Sequence, residues 1–209
     1  MPGYGGRPLM QKNDMSLMKI TPPPAPFPLL DDVIVLSNAA MRADEPVKAV
    51  NKLVKGLRGL LAGPLELPEW LLETHPDEHA RRELYRSREH GYEVIAITWA
   101  PGQVSTVHDH GDTWGVESVL RGRLEVNDYR LKAQHRALSE LEPDGGHVLE
   151  TGSVIGLVPP QDLHQCRNAD PHEVAVSLHV YGKHLDHVKR YTHVEGNLYR
   201  PQRVMLGTV

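Results

Sequence analysis

The chain has 209 residues and a formal net charge of −4 at pH 7, and 40% of its residues are hydrophobic. This length suits one domain, and the weak negative charge excludes a global basic surface for nucleic acid or anionic lipid. No apolar run approaches the ~20 residues that span a bilayer, and the N-terminus lacks the apolar core of a secretory signal. The single cysteine, Cys166, excludes an internal disulfide, so we expect a reducing compartment, the cytoplasm.

The N-terminal part of the chain predicts an arm followed by helices. Residues 1–28 are rich in Gly, Pro and Met, and because proline fixes φ and removes a donor, we expect a flexible extended arm. A first helix is expected within residues 31–43. A clearer helix begins at Pro46, and its apolar residues recur at helical spacing up to Leu61. We therefore expect a helical cap over residues 29–80.

From about residue 82 the pattern changes to short strands with turn signals between them. The expected strands are RELYRSR, YEVIAITW, QVSTVHDH, WGVESVLRGRLEV, HVLETGSVIGLV, LHQCRN and EVAVSLHVYG. Turns are expected at Arg121–Gly122 and at Pro143–Gly146, among others. Regularly spaced short strands of this kind predict a mainly β barrel or sandwich. Because the helix needs an apolar partner, residues 29–209 are expected to form a single domain, with the barrel over 81–209.

Two histidines stand one residue apart in QVSTVHDH. On a strand, His108 and His110 point to the same face and Asp109 to the other. Two imidazoles on one face can hold one metal ion, and the alternative is two unrelated surface or core histidines. The flanking glycines favour the first interpretation, because Gly102 lies six residues before His108 and Gly122 follows at motif spacing.

This arrangement resembles the first motif of the cupin family, G-x5-H-x-H-x4-E-x6-G, with Gly115 where the motif has glutamate. The stretch GSVIGLVPPQDLHQCRN resembles the second motif, with Pro159 before His164 and Asn168 after it. It departs from that motif at Gln161, where glycine is usual, and by one extra residue before the proline. The resemblance implies a cupin-type β-barrel (double-stranded β-helix), with His164 as a third ligand beside the first two histidines.

The missing glutamate has a chemical consequence. Three neutral imidazoles and no carboxylate leave a divalent ion with its full charge and with open positions. An anionic ligand such as a thiolate suits that site, because coordination lowers the pKa of a thiol.

A third motif, VSLHVYG, narrows the resemblance. Ser177, His179 and Tyr181 alternate, so a strand places all three on one side, where they form either a functional row or a structural network in the barrel wall. Together with WAPGQVSTVHDHGDTWGV and LHQCRN, this motif resembles the cysteine dioxygenase-type thiol dioxygenases over residues 82–191, and is similar to the bacterial 3-mercaptopropionate and cysteine enzymes.

The resemblance implies a site and a reaction. One Fe(II) per chain is bound by His108, His110 and His164, and both atoms of O2 are added to a small thiol to give a sulfinic acid. Tyr181 offers its hydroxyl to the reactants, His179 orients Tyr181, and Ser177 holds His179.

The substrate-binding residues are less defined by the motifs. Alignment with the arginine that binds the substrate carboxylate in the animal enzymes gives Ser87, with Arg86 as the leading alternative and Arg82 and Arg88 also open. Arg190 lies nine residues after Tyr181, a spacing found in the 3-mercaptopropionate enzymes; the alternative is a solvated surface pair with its neighbouring lysine. Two arginines in the pocket would admit a thiol dicarboxylate such as mercaptosuccinate.

Two further features of the motif region bear on the site. Gly115 matches the position of the cysteine that is cross-linked to tyrosine in the animal enzymes, so that link cannot form. Cys166 is interpreted as a small buried packing residue. His184, His187 and His193 are interpreted as part of a solvated segment rather than as a second metal site.

The expected function is therefore a mononuclear Fe(II) thiol dioxygenase acting on a small carboxylate-bearing thiol, such as 3-mercaptopropionate or cysteine. The expected partners are the thiol and O2, without nucleic acid or membrane, and a homo-oligomer stays open. The alternatives are another metal-dependent cupin enzyme and a non-catalytic cupin that binds a small molecule.

Overall fold

A computed structural model describes residues 26–206 of the chain. The predicted arm lies almost wholly outside these residues. Two helices, α1 (Leu30–Ala40) and α2 (Pro46–Leu60), and a 3-10 helix (Glu69–Leu72) precede the strands. Pro46 occupies the first turn of α2, where its missing N–H costs no hydrogen bond. Within the described residues, none of the helices has the length and apolar character needed to cross a membrane.

Eleven strands follow in the described part of the chain. They are β1 (Ala80–Arg86), β2 (Glu93–Trp99), β3 (Val107–His108), β4 (Gly115–Arg121), β5 (Arg123–His135), β6 (Leu138–Glu150), β7 (Val154–Leu157), β8 (His164–Asn168), β9 (Ala175–Tyr181), β10 (His187–Glu195) and β11 (Leu198–Met205).

The strands form two sheets. One has five strands in the order β1-β2-β9-β4-β7, and the other closes on itself in the order β10-β11-β6-β5-β8-β3. The chain passes from the first sheet to the second at Gly122, whose φ of 79° lies in the left-handed region that glycine tolerates. The predicted mainly β architecture with helices on its N-terminal side is confirmed.

The five-stranded sheet buries apolar residues on both faces. Val94 and Ala96 of β2 pack with Leu53 and Leu57 of α2, while their neighbour Ile95 belongs to a second cluster inside the barrel. This alternation follows from the two-residue period of a strand. The helices thus share a core with the outer face of the sheet, which supports the prediction of one domain over residues 29–209. Functional side chains lie on the inner face.

Three sequence expectations need correction. The turn expected at Pro143–Gly146 lies inside β6, where the register against β5 shifts and one extra residue is accommodated as a bulge. The expected strand QVSTVHDH is reduced to Val107–His108. The segment interpreted as solvated forms β10 and β11, which pair with β3 and β6. Few residues of β10 and β11 are buried, so their apolar pattern is too weak to predict strands.

Candidate active site

Three imidazoles converge inside the barrel. His108 ends β3 and is the register partner of His164 in β8, while His110 follows β3 directly. Their ring centroids lie 4.9–5.3 Å apart. One ring nitrogen of each histidine lies within 4.8 Å of those of the other two. The sequence-predicted ligand set is thus brought together in space.

The polar atoms of this cluster fit a metal ion. Nδ1 of His108 donates to the Thr106 carbonyl oxygen at 2.9 Å, so Nε2 is free to bind a metal. Nε2 of His110 and Nδ1 of His164 are buried without a hydrogen-bond partner. Because buried polar atoms are normally paired, such orphaned nitrogens indicate a missing ligand. Three imidazoles suit a first-row divalent ion.

The protonation of the cluster reflects burial and two carboxylates. Burial and the neighbouring His110 lower the pKa of His108 to about 4, so this ring is neutral at pH 7. Burial also lowers the pKa of His164 well below its usual value. At His110, burial acts in the same direction, but hydrogen bonds to Asp162 and Glu117 outweigh it and raise the pKa to about 9. Metal binding must therefore release a proton from His110.

The predicted row of polar side chains is present on the inner face of β9. The Trp99 indole donates to Ser177 Oγ at 3.0 Å, Ser177 Oγ lies 2.7 Å from His179 Nε2, and Tyr181 Oη lies 3.2 Å from His179 Nδ1. The Tyr181 ring also stacks on His110, with centroids 5.7 Å apart. Burial, followed by the nearby Glu117, raises the pKa of Tyr181 well above 10, so it is a neutral phenol. The row therefore ends beside the histidine cluster.

The expectation of a site without a carboxylate is wrong. Glu117 lies on the inner face of β4, two residues after Gly115, and its Oε1 is 3.6 Å from His110 Nε2 and 3.7 Å from His164 Nε2. The same oxygen is 3.1 Å from His179 Nδ1. Burial alone would raise the pKa of Glu117, but His164 and His179 hold it well below its usual value. The two-residue period of WGVESVL contained this signal, whereas the motif spacing drew attention to Gly115 alone.

The histidines open onto a cavity of about 230 Å³. Its polar lining includes His79, Arg81, His108, His110, Tyr181 and Arg190, and its apolar lining includes Ile97, Leu185 and Val188. This volume lies below the range of about 300–1,000 Å³ that is usual for drug-sized ligands. The cavity therefore suits a small ligand with an anionic group.

Arg190 reaches this cavity because of the strand register. It is the register partner of His108 where β10 pairs with β3. Lys189, its neighbour, points the other way and lies 3.7 Å from Asp109. The sequence alternative of a solvated surface pair therefore does not describe Arg190.

The structure does not bring Arg86 or Ser87 to the cavity. Arg86 pairs with Glu83, and Ser87 is buried in the β1–β2 turn, where its Oγ accepts the His90 backbone N–H. Arg81 takes their place, because the β1–β2 register sets it opposite Ile97 on the inner face. A bulge between Glu83 and Tyr85 shifts that register, and nothing in the sequence reveals it.

The open alternatives for this arginine are also placed by the structure. Arg82 binds Thr98 Oγ1 and the Glu73 carbonyl oxygen, away from the cavity. Arg81 itself is engaged by the buried Glu93, at 2.9 Å. Arg190 is therefore the arginine best placed for an incoming anion.

Two packing contacts shape the cavity wall. The His79 ring lies against Trp99, with centroids 4.5 Å apart, and burial together with His108 and Arg190 lowers the pKa of His79 to about 3. A Cβ at Gly115 would lie 3.2 Å from the Tyr181 ring, so glycine leaves room for that ring. Cys166 is buried in the barrel cluster, as interpreted from the sequence, and its Sγ is 3.7 Å from His164 Nε2.

The fold and the site define a β-barrel protein with a buried three-histidine cluster. The family model described as Cysteine dioxygenase type I matches residues 63–194. The chain belongs to the cysteine dioxygenase type I family.

Relatives of the chain carry the same description. The chain is 28% identical over 90 residues to "Cysteine dioxygenase type 1" of Danio rerio, covering 43% of this chain and 44% of the relative. It is 26% identical over 121 residues to "Cysteine dioxygenase type 1" of Rattus norvegicus, covering 56% and 58%. The matches thus span about half the length of these curated relatives.

Solved structures show weaker likenesses. The "TT1209" protein from Thermus thermophilus is 20% identical with a TM-score of 0.42, covering 56% of this chain and 94% of that one. An oxalate oxidase in complex with the substrate analogue glycolate is 18% identical with a TM-score of 0.40, covering 52% and 53%. Likenesses of this size say nothing about the activity of this protein.

Proposed function

We propose that this protein is a mononuclear non-haem Fe(II) thiol dioxygenase, with one iron per chain, that converts a small carboxylate-bearing thiol to its sulfinic acid. The observation that carries the proposal is the meeting of two sets of residues at one cavity. His108, His110 and His164 face each other there, and the row that ends in Tyr181 stacks on His110. Membership of the cysteine dioxygenase type I family supports the same reaction class.

The proposed reaction needs no external reductant. The thiol sulfur is oxidised, O2 is reduced, and both oxygen atoms form bonds to sulfur to give R–SO2H. Bound Fe(II) would supply the redox chemistry that activates O2 and would favour the thiolate form of the substrate. The protein holds the ion through neutral imidazoles and keeps the reactants away from bulk water.

Tyr181 is proposed to donate a hydrogen bond to the reacting oxygen or sulfur atoms. Trp99 already donates to Ser177 Oγ, so the Ser177 hydroxyl proton is directed to Nε2 of His179. His179 then carries its own proton on Nδ1, which faces Tyr181 Oη and Glu117. The Tyr181 oxygen accepts from His179 and keeps its own proton available for the cavity.

Arg190 is proposed to bind the substrate carboxylate. It lines the cavity beside His108, and its guanidinium can form a two-pronged pair with a carboxylate. A thiol group separated from a carboxylate by a short chain would place sulfur near the histidines and the carboxylate near Arg190. This favours 3-mercaptopropionate or cysteine, and Arg81 beside the same cavity keeps mercaptosuccinate as a candidate.

The remaining parts of the proposal concern context. The partners are the thiol and O2, without nucleic acid or membrane. Cys166 is a free thiol in the structure, which is consistent with a reducing compartment, and we place the activity in the cytoplasm.

The test is O2 consumption by the Fe(II)-loaded protein with 3-mercaptopropionate, cysteine, cysteamine and mercaptosuccinate, with the sulfinate identified by mass spectrometry. We expect one O2 per thiol with a carboxylate-bearing substrate and loss of uptake in His164→Ala. His172→Ala, at an exposed histidine, is the matched control and should retain activity. Full iron occupancy without uptake of O2 would instead favour another cupin enzyme or a small-molecule-binding cupin.

A further inference from the structure

The buried carboxylate of Glu117 has no role in the reaction as proposed above. It is 3% exposed and projects from β4 into the centre of the barrel. Within residues 26–206, the nitrogen-bearing side chains that pair with it are the imidazoles of His110, His164 and His179, and no lysine or arginine does so. Burial of a carboxylate without a cation is costly, so this group needs a compensating positive charge.

We propose that Glu117 is a fourth protein ligand of the metal, which makes the site three histidines and one carboxylate. The inference rests on the three-histidine metal site of the proposed function, but not on the thiol reaction. The residue lies two positions after the one at which the cupin motif has glutamate, so it reaches the same centre from a different point of the strand.

The distances support a shared ion. Glu117 Oε1 is 3.6 Å from His110 Nε2 and 3.7 Å from His164 Nε2. Two ligand atoms that are each about 2.1 Å from one ion, at an angle of about 120°, lie about 3.6 Å apart. These separations are too long for hydrogen bonds and are those of two neighbouring ligands. His110 Nε2 is also buried without a hydrogen-bond partner, as a nitrogen awaiting a metal would be.

The carboxylate is held in position by another residue. His179 Nδ1 lies 3.1 Å from the same Oε1, and Ser177 fixes the His179 ring from its other side. Carboxylates that bind metals are usually oriented by such hydrogen bonds. The row on β9 would therefore serve the metal as well as Tyr181.

Charge balance points the same way. A divalent ion bound by three neutral imidazoles and one carboxylate has a net charge of +1, and a single thiolate then neutralises it. The ion would also offer fewer open positions than a three-histidine site. Such a centre favours a thiol that binds through sulfur alone, with its carboxylate held elsewhere in the cavity.

The experiment is a titration of metal-free protein with Co(II), followed by its visible absorption spectrum, and with Fe(II) under anaerobic conditions. The variants are Glu117→Gln, Glu117→Asp, and Glu150→Gln as an exposed control on the same barrel. Because residues that merely orient ligands change metal affinity by about 10- to 100-fold, loss of a ligand in Glu117→Gln should cost at least about 100-fold. The Co(II) spectrum should change as well. Glu117→Asp should keep part of the affinity, and Glu150→Gln should behave as wild type.

Other outcomes overturn the inference. A wild-type affinity in Glu117→Gln excludes Glu117 as a ligand, and so does a loss of about tenfold with an unchanged Co(II) spectrum. Thermal unfolding of the metal-free variants shows whether they fold; if Glu117→Gln does not, equal affinities of Glu117→Asp and wild type overturn the proposal. If the wild type binds metal through Glu117 but consumes no O2, the thiol reaction alone is wrong. If the wild type binds no metal, both proposals are wrong.

Discussion

Asp162 holds His110 from two directions. Its Oδ2 accepts the His110 backbone N–H at 3.1 Å and lies 3.3 Å from the ring Nδ1 of the same residue. Asp162 is 5% exposed, so these contacts are shielded from water. The carboxylate thus fixes the ring orientation and leaves Nε2 for the metal.

We expect Asp162→Asn to lower metal affinity by about 10- to 100-fold, because groups that orient a ligating imidazole have effects of this size. The measurement is competitive metal titration of the metal-free protein. Asp186→Asn removes a comparable aspartate–imidazole pair with His187 at the surface, and this control should bind metal as the wild type does. Equal affinities of both variants would contradict the role given to Asp162.

Tyr181→Phe should lower the rate of O2 consumption by about 10²- to 10⁴-fold, the range expected for loss of a positioned proton donor. Iron content should not change, because the phenol is not a ligand. Iron analysis and oxygen-electrode rates check both statements. Tyr199→Phe, at a tyrosine that packs edge-on against Tyr129, is the control. A variant with full iron and a wild-type rate would exclude Tyr181 from the reaction.

Arg190→Ala should weaken the binding of carboxylate-bearing thiols, seen as a KM roughly 10- to 100-fold higher, because hydrogen bonds to charged groups contribute about 1.5–3 kcal/mol. Cysteamine has no carboxylate, so its turnover should be unaffected by the change. Lys189→Ala removes the neighbouring cation on the opposite face of β10 and should leave every KM unchanged. An equal effect on cysteamine would show that Arg190 acts through the fold instead.

His79 should make the protein sensitive to acid. Its folded-state pKa is about 3, against 6.5 for an ordinary histidine, so below pH 6.5 the unfolded chain takes up a proton that the folded chain does not. Stability should therefore fall as pH drops from 6.5 towards 3, by at most about 1.4 kcal/mol per pH unit from this group. Urea unfolding of wild type and His79→Gln from pH 4 to 8 tests this. The variant should show a shallower slope below pH 6.5 and the wild-type slope above it.

Gly156→Ala should destabilise the contact between α2 and the outer sheet. A Cβ at Gly156 would lie 2.2 Å from Val50 Cγ1, and overpacking of this kind costs about 1–3 kcal/mol. Gly59→Ala, in α2 with open space around the added methyl, should instead stabilise the protein by about 0.5–1 kcal/mol. Thermal unfolding of the two variants should therefore show midpoints shifted in opposite directions.

The inner face of β9 could be predicted from the sequence because local alternation alone determines it. Ser177, His179 and Tyr181 are two residues apart, and any strand places them together. The same rule applied to β4 would have found Glu117, which shares the face of Gly115. Here the motif comparison narrowed the search too far.

The substrate-binding residues depend on pairing between distant strands, which a single sequence does not specify. Arg190 reaches the cavity only because β10 pairs with β3, more than seventy residues away in the chain. Arg81 does so because of a bulge in β1. In both cases the register is set by long-range contacts, whereas local periodicity carries no information about it.

The opposite faces of β2, β4 and β9 belong to different cores, one shared with the helices and one around the histidines. For laboratory evolution this separates two kinds of mutation along the same strands. Changes on the helix side can raise tolerance to further substitution without touching the chemistry, and that reserve can then be spent on new substrate preferences in the barrel. A library that varies odd-numbered positions of β9 samples activity, and one that varies even-numbered positions samples robustness.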